Sequence, residues 1–209
     1  MRISGWKSWS ITAGAIVGLA VFLSASATPP RIPGTQIAAQ ELVLSLNPAQ
    51  TKVHWSVESS LHTVHGTFAL KSGEVHFDPE SGKAGGEVIV FATSGDSGNS
   101  NRDARMHREI LETGKYPDVV FRPTQIEGQV TRSGISDVKL QGIFSIHGGD
   151  HAITVPVHAE LNGDHWKGSA RFEVPYIQWG IKNPSNWLLK VKPSVEVELE
   201  MCGSLKGAN

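Results

Sequence analysis

The chain has 209 residues, room for one sizeable core or two small ones, with 19 basic against 20 acidic side chains. A formal charge of -1 leaves no basic footprint of the kind phosphate neutralisation requires, which argues against nucleic acid as a partner. The only cysteine is Cys202, so no intrachain disulfide can form and the fold must be held by its core.

In chain order, the first segment reads as an address rather than as structure. Arg2 and Lys7 precede an uncharged run from Ile11 to Leu23, and Ala25 and Ala27 supply the small residues of an Ala-x-Ala cleavage site. The run falls short of the about 20 residues of a bilayer span. Residues 1–27 are therefore expected to be a cleaved secretory signal, the other reading being an uncleaved anchor. Residues 28–40, rich in proline and without hydrophobic period, are expected to be a flexible leader, and 41–209 the folded domain.

From Glu41 onward alternation dominates, which puts every second side chain on one sheet face. Val53, Trp55 and Val57 alternate with His54 and Ser56, and Val64, Gly66, Phe68 and Leu70 with His65, Thr67 and Ala69. GGEVIVFATS is a more fully apolar strand. The pattern resumes at Val119 and Phe121, then at Val138, Leu140, Phe144 and Ile146, at Ile153 to Leu161, at Trp166 to Val174 and at Val195 to Met201. With turn signals at DPESGK, RSG, HGGD and NGD, this predicts an all-β, antiparallel sandwich or barrel of about nine strands.

One segment departs from the period of two. Between Ser100 and Thr113 the apolar residues Ala104, Met106, Ile110 and Leu111 fit a helix of about three turns that turns all four inward. Ser100 and Asp103 stand in a capping arrangement, and Gly114 and Pro117 supply the stop. Asp103 and His107 lie four apart, able to share a hydrogen bond or a metal. The nine histidines, however, form no helical His-x-x-x-His pair, His147 and His151 bracketing a Gly-Gly turn instead, and no tight Cys/His cluster. There is no Gly-x-Ser-x-Gly elbow, no P-loop and no Gly-x-Gly-x-x-Gly after a strand. The pattern favours a non-enzymatic protein with no catalytic residues, no metal and no cofactor, over an acid/base or metal enzyme using Asp103 and His107. Arg102, Arg105 and Arg108 edge the helix, either as a solvated face paired to Glu109 and Glu112 or as a rim holding a polar headgroup. Aromatic residues at the apolar strand positions would be core in a filled barrel and cavity wall in a hollow one.

The run RDARMHREILETGKYPDVVF resembles the signature of YceI-like proteins, in Arg102–Asp103, Met106–His107, Leu111, Tyr116–Pro117 and Phe121. Supporting matches are VHGTFALKSGEVHFDP (Val64 to Pro79), LQGIFSIHGGDHAITVPVHAEL (Leu140 to Leu161) and VPYIQWGIKNPSNWLLKVKPSVEVELEM (Val174 to Met201). The resemblance implies a lipocalin-like antiparallel barrel of about eight to nine strands, with the helix near its mouth. It also implies a periplasmic or secreted protein that sequesters a long-chain amphiphilic lipid: a polyisoprenoid, a quinone-like molecule, or a fatty amide or acid. Ligand-binding residues are expected at Phe68, Phe91, Phe121, Phe144, Phe172 and Trp179 for wall or gate, and at Arg102 and Arg105 for the rim. A filled-barrel interaction module is the alternative. Membrane-surface exchange and a homodimer are left open.

Overall fold

The computed structural model describes residues 41–131 and 133–207. The expected signal and leader lie outside the described residues. Nine strands run in the order β1 (Leu42–Leu46), β2 (Lys52–Glu58), β3 (Thr63–Phe77), β4 (Ala84–Asp96), β5 (Asp118–Glu127), β6 (Ser133–Ile146), β7 (Gly149–Asn162), β8 (His165–Val174) and β9 (Val195–Gly207). The helix α1 (Ser100–Arg105), continued by a π-helical turn Met106–Ile110, stands between β4 and β5.

All pairings are antiparallel, and the sheet closes on itself. β2 pairs with β9, β9 with β8, and so on down to β4, which pairs with β3, which returns to β2. That circuit has eight strands, the number that leaves an interior wide enough for side chains or one ligand. β1 adds no ninth place. It runs between the far half of β3 (Leu42↔Phe77) and the far end of β9 (Leu42↔Gly207), while β2 runs between their near halves (Val53↔Phe68, Val53↔Leu199). The two form a single barrel strand broken by the turn at Asn47–Thr51, where the Asn47 carbonyl accepts from Thr51 N at 2.9 Å.

The wall is not equally tight all round. β6 and β7 pair over their whole length, from Ser133↔Asn162 to Ile146↔Gly149. β7 and β8 pair only from Val157↔Ala170 to Asn162↔His165, so Gly149–Pro156 has no β8 partner. One barrel end is packed tightly around Leu42, Phe77, Leu161 and Trp166. The other carries α1, the β2–β3 turn and the long connection from β8 to β9.

Three local expectations are corrected. The helix is not three regular turns: Leu111 N bonds to Met106 O at 2.8 Å, the wider spacing of a π turn, and Asn99 rather than Ser100 caps it, its side chain accepting from Arg102 N. The extra residue rotates the later side chains relative to the earlier ones. Met106, Ile110 and Leu111 are half-buried while Ala104, expected inward with them, is exposed.

Candidate functional site

Alternation supplies the interior from all sides. Val53 and Trp55 on β2, Phe68 and Leu70 on β3, and Val88 and Val90 on β4 point inward. Strands β5 to β9 do the same through Phe121, Phe144, Val155, Phe172 and Leu199. They leave two cavities of about 120 and 110 Å³. Leu46, Val88, Phe144, Phe172, Leu199 and Met201 belong to both walls, so the two are neighbouring chambers of the barrel interior divided by these side chains. Its lining is aliphatic and aromatic, with Thr51 in one chamber and Ser136 in the other. An apolar void somewhat above 100 Å³ stays dry and can hold a small hydrocarbon.

Glycines explain how large rings fit without filling the middle. Trp55 lies directly opposite Gly66, and Trp166 directly opposite Gly203. A methyl group on Gly66 would overlap the Trp55 ring, and one on Gly203 would come within 2.8 Å of Trp166 Nε1. A methyl on Gly142 would likewise sit 2.7 Å from the Phe121 ring. Each ring therefore lies against bare backbone on the wall, which leaves room for the two chambers beside it. A Cβ at any of the three would also press on a backbone carbonyl oxygen, that of Asp96, Ser45 or Arg122, so the ring, the strand or both would have to move.

The indole N–H groups of Trp55 and Trp166 and the Thr51 hydroxyl are buried with no hydrogen-bond partner among the described residues. Leaving a buried polar group unpaired costs about 1–3 kcal/mol. Two imidazole nitrogens, His107 Nδ1 and His151 Nε2, are in the same condition.

The helix closes one side of the end it occupies. His107 Nε2 lies 2.9 Å from Gly95 O, and because a carbonyl only accepts, Nε2 must carry the hydrogen. Met106 packs with Phe68 around Gly95, where a Cβ would meet both at 2.6 Å. Where β7 and β8 part, Trp179 stands in the opening. Its indole stacks on His151 at 4.3 Å and 3°, and lies 5.7 Å from Phe144, which in turn meets Phe172 edge-on at 6.2 Å. Tyr176 and Ile181 anchor this segment in a second apolar cluster, the Tyr176 hydroxyl donating to Lys192 O at 2.9 Å. Burial pushes that hydroxyl above the usual phenol range.

Of the residues singled out by sequence, Phe68, Phe121, Phe144 and Phe172 line the lumen, and Trp179 packs on Phe144. Phe91 does not belong with them. It is 38 % exposed on the outer face, with the Lys71 ammonium 5.2 Å from its ring centre, and Val88 and Val90 take the inward positions of β4. Arg102 and Arg105 are at the helix rim but engaged. Arg102 donates to Ser97 Oγ at 2.7 Å and Ser97 O at 2.8 Å, and Arg105 reaches Glu109 at 3.4 Å and Pro184 O at 3.5 Å. Asp103 and His107 do not assemble as a pair: Asp103 accepts from Ser97 N at 3.0 Å and from the Ser97 hydroxyl, while His107 turns to Gly95. Among the described residues no group of three or more His, Cys, Asp or Glu is placed to hold a metal ion. The Trp–Gly pairs and the Trp179–His151 stack went unread in the sequence, since the first depend on register across strands and the second on how the β8–β9 connection folds back on β7. WGIKNPSNWLLK, two tryptophans in an acid-free stretch, was the one visible signal.

A family model described as a YceI-like domain matches residues 44–202. No curated protein matches the sequence. Among solved structures, BcnA of Burkholderia cenocepacia superposes with a TM-score of 0.61 at 16% identity, over 76% of this chain and 99% of that one. A polyisoprenoid binding domain from Saccharophagus degradans, implicated in plant cell wall breakdown, superposes with a TM-score of 0.58 at 12% identity, over 79% and 98%. At such identities the likeness is one of fold.

Proposed function

Because the chain belongs to the YceI-like domain family, we propose that it is a non-enzymatic binding protein that sequesters or carries a long-chain amphiphilic lipid in its barrel. The observation that carries this reading is the lumen, an apolar space kept open by rings laid against glycines. Removing a chain from water there yields about 0.8 kcal/mol per methylene. The polyisoprenoid-binding domain among the structural neighbours supports the same ligand class. The unpaired Trp55 and Trp166 N–H groups and the Thr51 hydroxyl favour an amphiphile with a carbonyl, hydroxyl or amide over a bare hydrocarbon.

In this reading Phe68, Phe121, Phe144 and Phe172 form the wall and Trp179 the gate, where β7 and β8 part. Arg105, whose contacts are long, is the rim cation freest to exchange them for a headgroup. A long chain needs both chambers, so loading turns the shared side chains Phe144 and Phe172 aside. Residues 1–27 would direct the chain to the periplasm or beyond it, and be removed. Organic extraction and native mass spectrometry of protein purified from its own host should recover one amphiphile per barrel, and mass spectrometry should find the mature N-terminus after Ala27. Protein that comes out empty and takes up no fluorescent fatty acid in solution refutes the carrier.

A further inference from the structure

Three large apolar side chains stand in water at the helix-bearing end: Trp187 at 88 % exposure, Leu61 at 69 % and Leu188 at 66 %. Leu61 is at the β2–β3 turn, and Trp187 and Leu188 are on the β8–β9 connection. Ser60 N donates to Lys190 O at 2.8 Å, Lys190 N to Ser60 Oγ at 3.2 Å, and Ser59 bridges to Val191, so the two loops form one tip.

The exposure is built in. Asn186 Oδ1 accepts from Leu188 N at 2.9 Å and Leu189 N at 2.7 Å, and Asn186 N donates to Leu189 O at 2.9 Å. Ser185 Oγ accepts from Val191 N at 2.9 Å across the base of the loop. Such a turn holds Trp187 and Leu188 at its apex before anything binds, so little ordering remains to be done on docking.

Charge selects the occupant. No Asp or Glu occurs from Pro175 to Ser194 or from Ser59 to Gly73, while Lys182, Lys190 and Lys192 ring the tip. Glu109 and Glu58 pair with Lys182 at 3.6 Å and Lys192 at 2.7 Å, and Lys190 makes no ion pair among the described residues. Tryptophan and leucine at the point with lysines behind them match the layering of a membrane interface, hydrocarbon first and anionic headgroups next. We propose that this tip docks the barrel on an anionic phospholipid surface, placing its helix-bearing end against the bilayer for lipid exchange. The proposal rests on the carrier reading for its purpose, though not for its test.

The test uses the full chain with Cys202→Ser and a polarity-sensitive fluorophore on Leu188→Cys, or on Asn162→Cys at the opposite barrel end. Vesicles of phosphatidylethanolamine with phosphatidylglycerol should blue-shift the Leu188 label and leave the Asn162 label unchanged. Because the readout is local, attachment through the Ile11–Leu23 run alone does not reproduce it. In the unlabelled chain, Trp187→Ser with Leu188→Ser should leave uptake of a soluble fluorescent fatty acid intact. With the label moved to Leu61→Cys, the same pair should weaken the vesicle titration at least about tenfold. Lys190→Gln should weaken the Leu188-label titration about fivefold, with the loss shrinking in high salt. The proposal is overturned if the Leu188 label stays unmoved, or responds equally to phosphatidylcholine alone. It is also overturned if the label shifts without vesicles as protein concentration rises, which would make the tip an interface between copies. Failure of fatty-acid uptake with docking intact would count against the carrier alone.

Discussion

Trp55 and Gly66 face one another across the β2–β3 pair, and the indole occupies the volume that a side chain on Gly66 would need. Substituting Gly66→Ala must therefore move the ring, the strand, or both. Overpacking of this kind costs about 1–3 kcal/mol. Urea unfolding should show that loss, and ligand uptake should fall with it because the displaced ring enters the lumen.

Phe144 belongs to the walls of both chambers and touches Phe172 and Trp179. Phe144→Ala should join the chambers at a cost of about 3 kcal/mol. Capacity and stability should move in opposite directions: a lower urea midpoint, with tighter uptake of a bulky apolar probe. A variant that lost both would show that Phe144 contacts the ligand more than it obstructs it.

The His107–Gly95 hydrogen bond ties the π turn to β4 at 2.9 Å. His107→Phe keeps a ring there and removes the donor. The expected cost is about 1 kcal/mol, with faster amide exchange confined to Ser100–Thr113. Exchange that quickened throughout the barrel would assign the helix a larger role in the core.

Glu109 gathers Arg108 at 2.8 Å, Arg105 at 3.4 Å and Lys182 at 3.6 Å. The Arg108 hydrogen bond chiefly, with the neighbouring cations, holds its carboxyl below the ordinary value of 4.5. A folded-state pKa below the unfolded one means that the contribution is complete above 4.5 and is lost as pH falls through the lowered value. Glu109→Gln should thus lower the urea midpoint slightly at neutral pH. The difference should vanish in acid well below the carboxylate range.

The strands were legible because a barrel wall separates water from lumen, and alternation records that separation directly. Val53 and Trp55, or Phe172 on β8, could be assigned inward on this basis alone. Phe91 was misread because GGEVIVFATS is apolar on both faces. Its facing was set by pairing with a bulged β3, where Leu70↔Val90 is followed by Ser72↔Ile89. Ala104 was misread because a regular 3.6-residue period was carried through a π turn. Hollowness was hidden for a further reason: it depends on which glycine lies opposite which ring, and register across strands is a property of the closed sheet. The tip at Leu61, Trp187 and Leu188 joins residues far apart in the chain, which no local window brings together.

β1 and β2 share one place in the barrel, and both sides of that place are taken by β3 and β9. The earliest strands made are thus sealed by the last. A growing chain can form hairpins from β3 through β8, but it has no closed circuit, no protected edges and no lumen until β9 has emerged. Closure across so many residues makes folding slow and leaves open sheet edges during synthesis. If the chain is exported as proposed, that delay has a use: the polypeptide stays threadable until β9 is through, and would first become a container on the side where it is to be filled.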